Sequence, residues 1–236
     1  MTLIRYTLLL LPYFVLAESI PLPISTFSIV SRDEETGEIG VAVQSKFVAV
    51  GSVVPYAQAG VGAIASQAWG NPRYGPIGLE LLASGKSAVE AVDLMTSADP
   101  HRNSRQLAII GIEGNASVFT GSECQEWAGG KQGVNYAVQG NILTGPKVIE
   151  AMGRAFEDTN GTLAERMIAS LHAGQKAGGD KRGKQSAALL VVREGWGYSG
   201  LTDRFRDLRV DDHPSPIEEL ERIYYLHRKI FPRPDQ

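Results

Sequence analysis

Thr26-Phe27-Ser28-Ile29-Val30-Ser31-Arg32 alternates in part between apolar and polar side chains and is rich in β-forming residues. Asp33-Glu34-Glu35-Thr36-Gly37-Glu38 follows as a turn, and Ile39-Gly40-Val41-Ala42-Val43-Gln44 returns as a second β-rich run. Two such runs around a polar, Gly-containing turn predict an antiparallel hairpin.

Downstream, the pattern predicts a strand over 60–67, whose glycines indicate close packing against a neighbour. Two helices follow. The first runs over 76–83, opening on Pro76 and stopping near Gly85. The second is opened by the capping box Ser87-Ala88-Val89-Glu90, runs to about Ser97 and carries Val89, Val92 and Met95 on one face. Strands are predicted over 106–112, 117–120 and 135–143. A helix from Gly145-Pro146 to about Phe156 comes next. A second capping box, Thr162-Leu163-Ala164-Glu165, opens a helix ending at Gly174. Strands over 185–193 and 206–210 and a helix from Ser215 to about Ile230 complete the chain. This order lacks strict βαβ alternation. It fits a single α+β domain over 26–236, with antiparallel sheets packed together and helices outside.

Upstream, Arg5 precedes the apolar run Leu8-Leu9-Leu10-Leu11-Pro12-Tyr13-Phe14-Val15-Leu16, and Ala17 offers a small residue for cleavage. This outlines a secretory signal over 1–17, followed by a spacer or pro-segment over 18–25. The run is short of the roughly 20 residues that span a bilayer, so no stable membrane span is expected once it is removed. The implied location is secreted, periplasmic or otherwise extracytoplasmic. Pro21 and Pro23 keep the spacer extended.

Hydrophobic residues make up 43% of the chain and charged ones 21%, values of a soluble globular protein. A formal net charge of −3 gives no basic excess for binding nucleic acid. The single cysteine, Cys124, has no internal disulfide partner, and no Cys/His spacing matches a zinc site. No metal or cofactor is expected. Asn115-Ala116-Ser117 and Asn160-Gly161-Thr162 have the form of glycosylation acceptors.

Two motifs mislead. Gly178, Gly183 and Lys184 match a phosphate loop, but Gln185 stands where Ser or Thr would hold magnesium, and a helix precedes and a strand follows. A mobile basic loop bordering a site is the better reading, with Asp180 and Arg182 as contacts. Asp211-Asp212-His213 suggests a metal cluster, yet adjacent strand positions point to opposite faces. It reads as a strand-to-helix turn.

Several stretches together resemble the domain-of-unknown-function family 1028, which is grouped with the Ntn-hydrolase superfamily. They are Thr26-Phe27-Ser28-Ile29-Val30, Val41-Ala42-Val43-Gln44-Ser45-Lys46-Phe47, Gln67-Ala68-Trp69 with Asn71-Pro72, and Tyr74-Gly75. Further matches are Gln139-Gly140-Asn141-Ile142-Leu143, Ala177-Gly178-Gly179-Asp180, Gln185-Ser186-Ala187 and the run from Asp207 to Pro214. The resemblance implies a four-layer αββα sandwich and, by analogy with the superfamily, hydrolysis of an amide bond in a small molecule or peptide. Relatives often open on Met-Thr-Phe-Ser, so loss of one Met exposes the Thr. Here cleavage between Ser25 and Thr26 would be required.

A freed Thr26 would supply both hydroxyl nucleophile and α-amine base. Such an amine has a pKa of about 7.7–8.0, suited to a base at neutral pH. Lys46 could lower that pKa further, and Asn141 beside Gly140 could stabilise an oxyanion. Gln44, Ser45, Gln67, Trp69, Asn71 and Arg73 complete the expected substrate contacts, with Arg73 able to pair with a carboxylate. The alternative is a catalytically silent binding or scaffold protein. Ile223, Tyr224, Leu226 and Ile230 on the last helix offer a face for a homo-oligomer.

Overall fold

Residues 26–235 are described by the computed structural model. The expected signal over 1–17 and spacer over 18–25 lie outside the described residues. The strands are β1 (Thr26–Arg32), β2 (Ile39–Ser45), β3 (Pro55–Gln58), β4 (Gly62–Ala68), β5 (Arg105–Gly111), β6 (Ala116–Thr120), β7 (Gly129–Gly133), β8 (Tyr136–Asn141), β9 (Ser186–Val192) and β10 (Arg204–Val210). The α-helices are α1 (Tyr74–Ala83), α2 (Ala88–Ser97), α3 (Lys147–Asp158), α4 (Leu163–Lys176) and α5 (Pro216–Ile230).

One sheet has the order β10-β9-β2-β1-β8-β7 and the other β3-β4-β5-β6. Every pairing is antiparallel. The predicted β1–β2 hairpin forms, and β8 closes the far side of β1.

The period of two along each strand sorts the core. Phe27, Ile29, Ala42, Val138 and Leu189 pack with Met152 and Phe156 of α3, Leu171 of α4 and Leu220 of α5. Val30, Val41 and Val43, on the opposite face of the same sheet, pack with Ala63, Ala65, Ala108 and Ile110 of the second sheet. The outer face of that second sheet buries Ile64, Leu107 and Ile109 against Val92 and Met95 of α2 and Tyr74 of α1. The fold is thus mixed α+β, with two facing sheets flanked by helices.

Both predicted capping boxes are present and reciprocal, at Ser87/Glu90 and Thr162/Glu165. Each satisfies two helix-end N–H groups, and losing such a cap costs about 1 kcal/mol. Two strands were not predicted. β7 is Gly-Gly-Lys-Gln-Gly, with no apolar alternation, and is a strand because β8 offers it a partner. β3 has only four residues and none fully buried. Among the described residues no helix is long and apolar enough to cross a membrane.

Candidate functional site

The layer between the sheets changes character along its length. Following the inward face of β1, Val30 gives way to Ser28 and then Thr26. β2 runs from Val43 to Ser45, β4 from Ala65 to Gln67, β5 from Ala108 to Gln106, β8 from Ala137 to Gln139 and Asn141, and β9 from Ala188 to Ser186. All of these polar residues are buried. The register places Thr26 opposite Ser45 on one side and Asn141 on the other, and Ser45 opposite Ser186. The second sheet aligns Gln67 with Gln106, and Gln106 with Thr120.

Hydrogen bonds join the two sheets at this end. Thr26 Oγ1 donates to Ser45 Oγ at 3.1 Å. Gln67 Nε2 donates to the Thr26 carbonyl at 3.2 Å and to Gln106 Oε1 at 2.8 Å. Gln67 Oε1 accepts from Ser28 Oγ at 2.6 Å. The second acceptor site of Gln106 Oε1 takes Asn141 Nδ2 at 3.1 Å. Gln106 Nε2 in turn donates to the Gly140 carbonyl at 2.8 Å and to Thr120 Oγ1 at 3.0 Å. Gln139 Nε2 reaches the Ala65 carbonyl at 2.9 Å. Burying an amide costs free energy that such bonds offset. Two residues bordering the cluster have left-handed backbones without being glycine: Ala68 (φ 64°) and Ile142 (φ 52°).

Of the residues picked from sequence, Thr26, Ser45, Gln67 and Asn141 therefore converge. Gln67 has both amide protons and its oxygen bonded within the protein, so it holds the Thr26 carbonyl rather than facing substrate. Gln44 departs from expectation. It pairs with Phe27 and lies on the helix-covered face of the sheet, because neighbouring strand positions alternate. Its two side-chain polar atoms are buried and have no hydrogen-bond partner among the described residues.

Lys46 leaves the end of β2 with an exposed side chain. Its backbone N–H donates to Asp180 Oδ2 at 3.1 Å. Asp180, expected to touch substrate, is buried. Its Oδ1 accepts from the Arg182 N–H at 2.8 Å, and Arg182 Nη2 pairs with Oδ2 at 3.3 Å. This carboxylate thus ties the 178–185 loop to the end of β2. Gly178 and Gly179, with φ of 124° and 56°, allow the chain to turn there.

The segment after β4 is held by Asp99. That carboxylate accepts from Asn71 Nδ2 at 3.1 Å, Tyr74 OH at 2.9 Å, Arg105 Nε at 3.0 Å and the His101 N–H at 2.8 Å. Burial pushes its pKa up, but the His101, Arg105, Tyr74 and Asn71 donors outweigh this and hold it at about 2. Burial, reinforced by Asp99, raises the Tyr74 phenol. Arg105 also donates to the Trp69 carbonyl, and Trp69 is half-buried. Beyond this loop a pocket of about 450 Å³ opens between α1 and α2. Asn71, Arg73, Tyr74 and Asp99 stand at one end, and Ile77, Leu81 and Leu94 are among its walls.

Sequence reading missed Gln106, Gln139 and Asp99 as organising residues. The first two carried a legible mark, being polar at inward positions of apolar strands. Asp99 sits in a helix-to-strand connection and had none. Among the described residues no group of three or more His, Cys, Asp or Glu side chains could hold a metal ion. His213 forms a turn, its Nδ1 accepting from the Ser215 N–H at 3.0 Å. On α5, Tyr224 belongs to the core and its hydroxyl lies 2.9 Å from that of Thr162, whereas Leu226 and Ile230 are exposed.

Comparison with solved structures finds the protein SPO2555 of Silicibacter pomeroyi, described with the same DUF1028 family designation. It is 36% identical, with a TM-score of 0.80 and 86% of each chain covered. No curated protein matches the chain. The sequence model of the family of unknown function DUF1028 matches residues 26–220. The chain belongs to that family.

Proposed function

We propose that the protein is a secreted N-terminal-nucleophile hydrolase that cleaves an amide bond in a small molecule or peptide. On this reading the two helix-flanked sheets are the four-layer αββα sandwich of such enzymes, and residues 1–25 are removed to free Thr26. The observation that carries the proposal is the placement of Thr26. It opens the central strand, on the inter-sheet face, between Ser45 and Asn141, with its carbonyl held by Gln67. The match to the family also begins at this residue, which supports a functional unit starting there.

The chemistry balances without a cofactor. The Thr26 hydroxyl oxygen attacks the substrate carbonyl carbon as the free α-amine takes the hydroxyl proton. Asn141 Nδ2 carries two N–H groups, one directed at Gln106. On this reading Asn141 Nδ2 also donates to the tetrahedral oxyanion, a contribution of about 2.7–4 kcal/mol to lowering the barrier. The C–N bond breaks, the ammonium returns its proton to the leaving amine, and an acyl ester remains on Thr26. Water activated by the same amine hydrolyses that ester. Lys46 follows Ser45, the residue paired with Thr26, and a cation brought to the amine from there would favour its neutral form.

The test begins with N-terminal sequencing of the mature protein, followed by a panel of amide substrates with wild type and Thr26→Ala. A mature chain starting at Thr26, with turnover lost in the variant, supports the proposal. An active sample that keeps Ser25 would falsify it. One observation favours the silent binding reading: Thr26 has no solvent-exposed surface in the uncut chain. Equal turnover in wild type and Thr26→Ala, or none in either, would support that second reading.

A further inference from the structure

We propose that the pocket between α1 and α2 binds an amphiphilic carboxylate, a ligand with an apolar chain and one anionic head. This goes beyond the hydrolase reading and does not need it. Its volume of about 450 Å³ is in the range of small-molecule sites, about 300–1,000 Å³. The walls are apolar and partly open to water: Ile77 is 43% and Leu94 50% exposed. Covering such side chains with a hydrocarbon chain yields roughly 25 cal/mol per Å² of apolar surface removed from water.

The hydrogen bonds at the end formed by Asn71, Arg73, Tyr74 and Asp99 select the head group. Asn71 donates to Asp99, and its Oδ1 accepts from the Arg73 N–H at 3.1 Å. The Tyr74 hydroxyl is spent on Asp99. The Asp99 charge is balanced by Arg105 at 3.0 Å. What remains is the Arg73 guanidinium. It is exposed, and among the described residues its side chain makes no hydrogen bond or ion pair. A single uncommitted fork of donors at the mouth of an apolar groove matches one planar carboxylate.

The experiment is calorimetric titration of the protein with decanoate and, separately, with 1-decanol, alongside light scattering. Decanoate is expected to bind about tenfold tighter than decanol, as a hydrogen-bonded charge contributes about 1.5 kcal/mol. Arg73→Gln should erase that difference while leaving decanol binding intact. Leu94→Asp should weaken both ligands, and Thr26→Ala should alter neither. Arg73→Gln alters only an exposed side chain, so it keeps the proposal testable if Leu94→Asp melts early. Equal affinity for the two ligands, or no binding of either, would overturn the site. Loss of binding in Thr26→Ala would overturn it too, by moving the ligand to the threonine. So would a dimer that Leu94→Asp dissociates, since a second copy would then be the groove's occupant.

Discussion

The two halves of the inter-sheet layer share the same strands and the same burial, yet their chemistry is opposite. Around Val30, Val41, Ala63 and Ile110 the facing surfaces are purely apolar and hold the sheets by contact alone. Around Thr26, Ser28, Gln67, Gln106, Gln139 and Asn141 the sheets are joined by directional hydrogen bonds. Apolar contact tolerates small sliding, whereas bonded carboxamides fix position and orientation to tenths of an ångström. A fold seeking only stability gains little from the second arrangement, because an amide hydrogen bond in the interior contributes about 1 kcal/mol net and costs more when one partner is missing. The polar half is therefore where geometry, rather than stability, is specified.

The largest expected effect separates the halves by activity. On a substrate identified in the amide panel, Asn141→Ala should lower kcat by about 10²–10³, well beyond what its loss of about 1 kcal/mol in stability accounts for. A loss under tenfold would remove Asn141 from the chemistry. Next comes a matched pair in β5. Ile110→Ala should cost about 3 kcal/mol in urea unfolding through cavity formation, with turnover per folded molecule unchanged. Gln106→Leu should cost about 2–3 kcal/mol by stranding its buried partners, and should lower turnover as well. If Ile110→Ala slows turnover as much as Gln106→Leu does, the two halves are not functionally distinct.

A smaller effect is expected at the border of the polar half. Ala68 holds φ at 64°, where a side chain is strained. Ala68→Gly should relieve that strain, and after the entropy of the unfolded glycine is subtracted, raise stability by about 0.5 kcal/mol. A fall in denaturation midpoint would count against strain at that residue.

The smallest effect lies outside the layer altogether. Burial, and then the Arg206 charge, lower the His227 pKa below its usual 6.5. Arg206 Nη1 donates to His227 Nδ1 at 2.8 Å, so the fold binds the neutral ring. The unfolded chain takes up the proton first. Stability is thus fully present above 6.5 and declines as pH falls through that value toward the depressed native pKa. Asp99, held at about 2 by donors that outweigh its burial, contributes its own loss only near pH 4 and below. Between pH 7.5 and 5, wild type should lose more stability than His227→Gln. Parallel pH curves would exclude the histidine.

Much of the fold was readable because its cues are local. The β1–β2 hairpin, the apolar β9 and the capping boxes at Ser87 and Thr162 each declare themselves within a few residues. β7 did not, because Gly129–Gly133 becomes a strand only through β8. The site was half readable for the same reason. Thr26 and Asn141 stand at strand ends in distinctive stretches. Gln44 misled because it adjoins Ser45, although a period of two sends neighbours to opposite faces. Applied from Ile110 backward through Ala108, that same period leads to Gln106. Asp99 and its four donors come from loops and helix ends brought together by the tertiary fold, which no local pattern encodes.

The central position of β1 has a consequence for timing. Its N-terminal residue is the first of the described domain to leave the ribosome, but one flanking strand, β8, is encoded more than a hundred residues later. At about 5–20 residues per second, the interval is many seconds. Throughout it, Thr26 has no Asn141 beside it and no Gln106 to orient that amide. The polar cluster around Thr26 thus closes only after most of the polypeptide has emerged.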